Sequence, residues 1–416
     1  MTYGLIAEHL GHSFSPEIHR KLFGYEYELK ELAPEELASF MMAREFRAVN
    51  VTIPYKEAVL PYLDEISNTA KAIGAVNTVV NDGGRLIGYN TDFSGMTALI
   101  ERSCISLQGK KVLILGSGGT SKTALAVAKS LGCAEALRVS RTGQEDCITY
   151  EEATRHMDTQ IIINTTPCGM FPKIGTAAVD VAAYPRLEGV VDAVYNPLRS
   201  RLVCDAKAAG IPAVGGLYML VAQAAFAAEK FIGHTAPPEK VEAIYRELLA
   251  SKQNVVLVGM PGCGKSTVGK ALASALGMEF IDTDEEIVRQ DGRPIPAIFE
   301  AVGEAGFRDI EQRIIHQVAA RQHTVIATGG GAILREENVR ILRENGILYF
   351  IDRPLEQLVA TSDRPLSSNR ADLEHRYAER YPIYCRVCDA HIRSANAIAE
   401  TVQTIKEDFN HENFSA

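Results

Sequence analysis

Short apolar runs recur along this chain between longer stretches whose apolar positions are spaced three and four apart, the pattern of strands alternating with amphipathic helices. Residues 111–115 read as a strand, 121–131 as a helix and 136–139 as the next strand, and 160–164 and 189–194 continue the series. Such alternation predicts βαβ units on a parallel sheet, so residues 105–214 form one α/β layer. Ahead of it, 3–7, 25–29 and 47–52 read as strands, and Asn81-Asp-Gly-Gly84 between apolar runs is a hairpin signal. After His234 come a turn-rich break at 235–238, a helix through Leu249 and the polar stretch 251–254. There the pattern restarts with a strand at 255–258 and a glycine-rich loop, which places a major boundary near 251. The expected organisation is α/β throughout: a first domain over 1–104 with 215–250 returning to it, a second over 105–214, and a third over 251–416.

The length of 416 residues agrees with two or three domains, and 46% hydrophobic with 23% charged residues is a globular balance. A net charge of −9 argues against a nucleic-acid or anionic-lipid surface, so any anionic ligand has to be held by locally placed Arg or Lys. The first residues lack a basic region and reach Glu8 before an apolar core could develop, so the chain is expected in the cytoplasm. The uncharged stretch 208–228 is interrupted by Gly210, Pro212, Gly215, Gly216 and Gln223, which fits a strand, loop and buried helix better than a membrane span. The eight cysteines are scattered, and Cys385 and Cys388 form a single C-x-x-C without a second pair, so neither a zinc site nor a disulfide framework is implied.

The third domain carries the stronger motif. Gly259-Met-Pro-Gly-Cys-Gly-Lys-Ser-Thr267 fits G-x-x-x-x-G-K-[ST] directly after a strand and before a helix. In that context Gly262, Cys263, Gly264 and Thr267 cradle ATP phosphates with their backbone, Lys265 bridges β and γ oxygens, and the Ser266 hydroxyl sits on Mg²⁺. Asp282 and Asp284, two apart at the end of a strand, are expected on one side of an extended segment, one to hold Mg²⁺ and one to orient an acceptor hydroxyl. Taken alone, either also fits a helix cap or first-turn acid. Arg308 follows on a helix, Gly329-Gly-Gly331 follows a strand, and Arg364 and Arg380 come later; a lone Arg is more often a surface ion pair, so the ordered set carries the argument.

In the first two domains Gly116-Ser-Gly-Gly-Thr120 lies between a strand and a helix, the place for a dinucleotide pyrophosphate held by Gly116, Gly118, Gly119 and Thr120. Ser140-Arg-Thr142 ends the next strand, and Arg141 there favours the 2′-phosphate of NADP(H) over NAD, although Gly143-Gln-Glu-Asp146 supplies acids and no second basic residue. Ser13 and Ser15 place two hydroxyls before a helix, where Ser15 also fits a cap. Asn50-Val-Thr-Ile-Pro-Tyr-Lys56 and Asn90-Thr-Asp92 bring a lysine and a carboxylate that, facing each other, can donate a proton to a carbonyl oxygen as hydride arrives at carbon.

Two families are resembled. Residues 254 to about 410 look like shikimate kinase, whose phosphate loop, D-x-D pair, F-R-x-x-E helix, G-G-G turn, R-P-L lid and late R-x-P-x-Y arginine all occur here in that order. Residues 3 to about 247 resemble shikimate dehydrogenase through the S-x-S-P segment, N-V-T-x-P-x-K, Ala75-Val-Asn-Thr78, N-T-D, the G-x-G-G loop and Met219-Leu-Val-x-Gln223. The resemblance implies Lys56 and Asp92 as the catalytic pair, with Ser13, Ser15, Thr52, Asn77, Tyr195 and Gln223 on the substrate. It likewise implies that Arg308, Gly330 and Arg380 hold shikimate, that Asp284 orients its 3-hydroxyl, and that Arg364 closes over the phosphates beside Lys265. The implied architecture is a substrate domain, a Rossmann-like NADP-binding domain and a P-loop kinase domain. The family's I-N-A-T-x-x-G-M reads Thr165, Thr166 and Pro167 at its small residues here, a variation in the nicotinamide loop.

The function this implies is reduction of 3-dehydroshikimate to shikimate with NADPH, followed by phosphorylation of shikimate with ATP and Mg²⁺; the partners are small molecules, with no nucleic acid and no membrane. The alternatives are a quinate/shikimate dehydrogenase half that uses NAD, and a metabolite-sensing pseudoenzyme. The latter would have lost Lys56, Asp92, Lys265 or Asp284, and all four are present.

Overall fold

The computed structural model describes residues 1–11, 13–143, 146–358, 370–393 and 397–414. They divide into two units: Met1–Met170 with Thr176–Asn196 and Asp205–Tyr245, and Phe171–Gly175 with Pro197–Cys204 and Arg246–Ala416. The division falls inside the helix Pro238–Lys252 rather than in the polar stretch at 251–254. That stretch stays ordered because Lys252 is buried and donates from Nζ to Gln322 Oε1 at 3.4 Å.

The first unit contains two sheets. One is mixed, in the order β2-β1-β3-β5-β6-β4, from β1 (Tyr3–Ala7), β2 (Glu28–Glu31), β3 (Ala48–Val51), β4 (Glu65–Ile66), β5 (Thr78–Asp82) and β6 (Arg85–Tyr89). The hairpin read at 81–84 joins β5 and β6, which pair antiparallel through Asp82 and Arg85. The strand expected at 25–29 forms three residues later, and all of β2 is exposed. Tyr25 and Tyr27 turn instead into an aromatic cluster with Tyr3, His19 and Phe231, where Tyr27 and Phe231 are buried. Burial of rings against helices outweighs the strand preference of aromatic residues at this edge.

The other sheet of this unit is wholly parallel, as the alternating pattern requires. Its order is β12-β11-β10-β7-β8-β9, from β7 (Lys111–Leu115), β8 (Glu135–Ser140), β9 (Cys147–Thr149), β10 (Ile161–Asn164), β11 (Gly189–Asp192) and β12 (Ala213–Val214). The strand order reverses between β7 and β10, so a crevice opens at the carboxyl ends of these two strands. The helix Leu217–Ile232 begins in the uncharged stretch, runs four residues past it through Glu229 and Lys230, and packs closely on the helix Thr91–Arg102. Among the described residues no helix is long and apolar enough to cross a membrane.

The second unit holds a five-stranded parallel sheet in the order β14-β15-β13-β16-β17, from β13 (Asn254–Val258), β14 (Glu279–Asp282), β15 (Thr324–Ala327), β16 (Gly346–Asp352) and β17 (Ala390–Arg393). β13 is central and completely buried, which explains its unbroken apolar run.

Candidate active sites

In the first unit, a cavity of about 320 Å³ is lined by Ser13, Ser15, Asn50, Thr52, Lys56, Asn77, Asp92, Thr120, Tyr195 and Gln223, among others. Residues far apart in sequence are thus brought together, and every dehydrogenase substrate residue expected from the sequence lines it. Lys56 Nζ donates to Asp92 Oδ2 at 2.6 Å, with the two side chains only 16% and 11% exposed. Asp92 reaches this place because Asn90 caps the helix Thr91–Arg102, accepting from the Phe93 N–H and setting Asp92 in the first turn. Ser13 Oγ accepts from the Ser15 N–H, so Ser15 is not the helix cap: Phe14 occupies that position, and Ser15 lies buried in the first turn. Burial pushes the Tyr195 phenol above its ordinary pKa and keeps it a neutral donor.

Asn77, which the sequence already puts on the substrate, is backed by a buried network that sequence reading missed. Asn77 Oδ1 accepts from the Thr91 N–H at 2.7 Å, and Asn50 Nδ2 donates to the Asn77 carbonyl at 3.2 Å and to Thr78 Oγ1 at 3.0 Å. Tyr27 OH donates to Asn50 Oδ1 at 2.7 Å, and His19 stacks on Tyr27 with ring centroids 4.1 Å apart. Burial holds the His19 imidazole neutral, its pKa brought down to about 3. An asparagine between valines on β3 was the available sign, since a buried amide must find partners.

The dinucleotide loop leaves β7 at Gly116, whose φ of 123° excludes ordinary side chains, and a Cβ there would stand 2.5 Å from Thr165 Oγ1. Gly118 caps the helix Gly119–Ser130, so the N–H groups of Gly119 and Thr120 point from a helix N-terminus, a fit for pyrophosphate. Ser140 ends β8 with Arg141 and Thr142 after it, and Ser140 Oγ accepts from the Gly143 N–H at 3.0 Å.

In the second unit a cavity of about 530 Å³ is lined by Gly262, Gly264, Lys265, Ser266, Thr267, Asp282, Asp284, Arg308, Glu311, Gly330 and Arg380, among others. Cys263 is buried beneath the loop. Lys265 Nζ donates to the carbonyls of Gly259 and Met260 at 2.8 and 2.9 Å. Ser266 Oγ donates to Asp282 Oδ2 at 2.5 Å, placing two hard oxygen donors together, which fits Mg²⁺. The two aspartates do not share an extended segment. Asp282 ends β14 and caps the next helix by accepting from the N–H groups of Asp284 and Glu285, so Asp284 stands in the first helical turn. Capping satisfies otherwise orphaned donors and ends the strand at Asp282.

Arg308 donates to Glu311 Oε2 at 2.7 Å, and a Cβ on Gly331 would lie 2.3 Å from the guanidinium, so that glycine admits Arg308 against the turn. Burial pushes the Glu311 carboxyl above its ordinary pKa despite the guanidinium beside it. Glu311 Oε1 and the Nε atoms of Arg308 and Arg380 are buried without hydrogen-bond partners among the described residues. Tyr384 OH donates to the Gly330 carbonyl at 2.5 Å and fixes that turn. Arg364 and its lid lie outside the described residues.

Residues 5–79 match the family model of the shikimate dehydrogenase substrate binding domain, and residues 261–410 match that of shikimate kinase. A shikimate dehydrogenase (NADP(+)) of Clostridium perfringens is 36% identical over 264 residues, covering 97% of that protein and 59% of this chain. This chain belongs to the shikimate dehydrogenase family. Its shikimate dehydrogenase portion is joined on the same polypeptide to a shikimate kinase domain. Among solved structures, shikimate dehydrogenase 1 of Peptoclostridium difficile is 36% identical with a TM-score of 0.55, covering 60% of this chain and 98% of that one. The shikimate 5-dehydrogenase of Thermus thermophilus, in complex with NADP(H) and shikimate, is 30% identical with a TM-score of 0.54, covering 59% and 96%. The families carry both enzyme classes expected here, an NADP-dependent oxidoreductase and an ATP-dependent kinase.

Proposed function

We propose that the first unit reduces 3-dehydroshikimate with NADPH and that the second phosphorylates the resulting shikimate. The observation that carries the first half is the Lys56–Asp92 pair, 2.6 Å apart in a cavity that also reaches Thr120 on the dinucleotide helix. NADPH, when bound, supplies hydride to the ketone carbon. The Lys56 ammonium donates its proton to the carbonyl oxygen, and Asp92 orients and charges that lysine. Ser13, Ser15, Thr52, Asn77, Tyr195 and Gln223 hold the ring, and Arg141, Ser140 and Thr142 take the 2′-phosphate side.

In the second unit Arg308, Arg380 and Gly330 hold shikimate, and Asp284 orients its 3-hydroxyl. Ser266 and Asp282 would hold Mg²⁺, which would supply positive charge against the phosphates, and Lys265 would add its own from the loop. A cytoplasmic setting, where NADPH and ATP are both available, fits this reading. One incubation with 3-dehydroshikimate, NADPH, ATP and Mg²⁺ tests the whole reading, with products identified by mass spectrometry. Shikimate 3-phosphate is expected. Shikimate left unphosphorylated would overturn the kinase half, and no NADPH loss would overturn the dehydrogenase half.

A further inference from the structure

A buried carboxylate between β10 and β11 has no part in the chemistry above. Asp192 is wholly excluded from solvent and stands in register with Asn164, itself 1% exposed. Asn164 Nδ2 donates to Asp192 Oδ1 at 2.9 Å, and the Val194 N–H donates to the same oxygen at 2.9 Å. An amide has one donor end and one acceptor end, so this bond turns Asn164 Oδ1 away from Asp192. That oxygen accepts from the Thr166 N–H at 3.0 Å and from the Thr166 hydroxyl at 2.7 Å. Thr166 Oγ1 accepts in turn from the Cys168 N–H at 3.2 Å.

The two ends of this chain of bonds lead to different sides of the reaction. Thr166 and Cys168 belong to the loop leaving the carboxyl end of β10, beside β7, and the neighbouring Thr165 hydroxyl donates to the Leu115 carbonyl at 2.6 Å. A dinucleotide crosses such a sheet where the strand order reverses, with its adenosine half toward β8, the strand that ends in Ser140. The loop after β10 therefore serves the nicotinamide half. Val194, at the other end, lies between Ala193 and Tyr195, both of which line the ketone cavity.

We propose that Asp192 is a positioning residue that sets hydride donor and ketone against each other, holding the nicotinamide loop through Asn164 and Thr166 and the Tyr195 wall through Val194. This rests on the dehydrogenase reading of the first unit. A carboxylate excluded from water and committed to fixed donors is a rigid anchor, and small misplacements between reacting atoms cost rate steeply.

Thr166→Val keeps the size of the side chain and deletes the hydroxyl, and Thr166→Ser returns it. In the full chain, Thr166→Val is expected to lower kcat for 3-dehydroshikimate reduction about tenfold and to raise KM for NADPH more than KM for the ketone. The primary isotope effect with NADPH deuterated at the transferred hydride is expected to rise, because hydride transfer becomes the slow step. Thr166→Ser restores all three values to within about twofold of wild type, and Asp192→Ala, which removes the acceptor of both the Asn164 and the Val194 bonds, produces the same signature more strongly. An active wild type alongside a Thr166→Val variant with unchanged kcat and isotope effect overturns the proposal, as does an equal rise in both KM values. Should Asp192→Ala not fold, the two Thr166 variants decide alone. A wild-type chain that leaves NADPH unoxidised overturns the dehydrogenase reading itself, and the positioning role with it.

Discussion

The two cavities are read as meeting the same molecule, shikimate, with opposite chemistry. The floor of the first, where Asn50 and Asn77 line the cavity, is neutral and backed by a closed network: these two, Thr78, Thr91 and Tyr27 spend their hydrogen bonds on one another. The second is densely charged, with Lys265, Arg308 and Arg380 among Asp282, Asp284, Glu285 and a buried Glu311 whose Oε1 has no partner among the described residues. A site that must also position a hydride gains from a floor that cannot reorient. A site that must select an anion ahead of a polyphosphate gains from charge. The comparison teaches that one ligand can be recognised by shape at fixed dipoles or by guanidinium pairing, and the two should respond differently to mutation, salt and pH.

The largest effects separate the sites outright. Lys56→Ala should lower the rate of NADPH oxidation about 10²–10⁴-fold, the usual worth of a general acid, while phosphorylation of added shikimate is unchanged. Asp284→Asn should do the reverse, and paired spectrophotometric and phosphate-transfer assays on the same preparations check both. A single change that silences both activities would break the comparison. Next in size, Arg380→Met should raise the kinase KM for shikimate about 10–100-fold, since it removes a charged partner from a desolvated site. Raising salt from low to physiological should weaken shikimate binding at the kinase and leave the dehydrogenase KM nearly unchanged, as measured by initial rates at both heads.

A pH dependence sharpens the same contrast. His19 is buried neutral with a pKa near 3, against 6.5 for the free side chain. Between those values the unfolded chain binds the proton and the folded unit does not. This contribution to stability is therefore fully present above pH 6.5 and is lost as pH falls toward 3, an upper bound on the order of 4 to 5 kcal/mol. Urea unfolding followed by circular dichroism should show an acid limb for the first transition that His19→Phe flattens.

How much of this was open to sequence reading follows from how local each feature is. Lys56, Asp92, the Gly116 loop and the Gly259–Thr267 loop are short motifs whose neighbours along the chain dictate their backbone, so their places could be stated before any coordinates. For Asp282 and Asp284 the extended reading fails and its alternative, a helix cap followed by a first-turn acid, holds, because the two arrangements have the same spacing. The Asp192–Asn164 contact joins positions 28 apart across a strand pair, and Tyr27–Asn50 joins a loop residue to β3 over 23 positions. Only tertiary placement reveals such partners, and a buried polar residue on an apolar strand announces that a partner exists without saying which.

The finest test of the comparison is Tyr27→Phe. The ring keeps its stacking on His19, and only the hydroxyl that donates to Asn50 Oδ1 is lost. The His19 ring also hydrogen-bonds Asn50, so losing one of its donors should cost up to about 1–3 kcal/mol, part of which appears as lowered stability. The remainder should reach the ligand, because Asn50 also holds the Asn77 carbonyl, and both asparagines line the cavity. KM for 3-dehydroshikimate should therefore rise about three- to tenfold while KM for NADPH stays put, the opposite split from Thr166→Val. If both constants move together, the neutral floor supports the fold but does not shape the ketone site, and the contrast with the charged site reduces to one of charge alone.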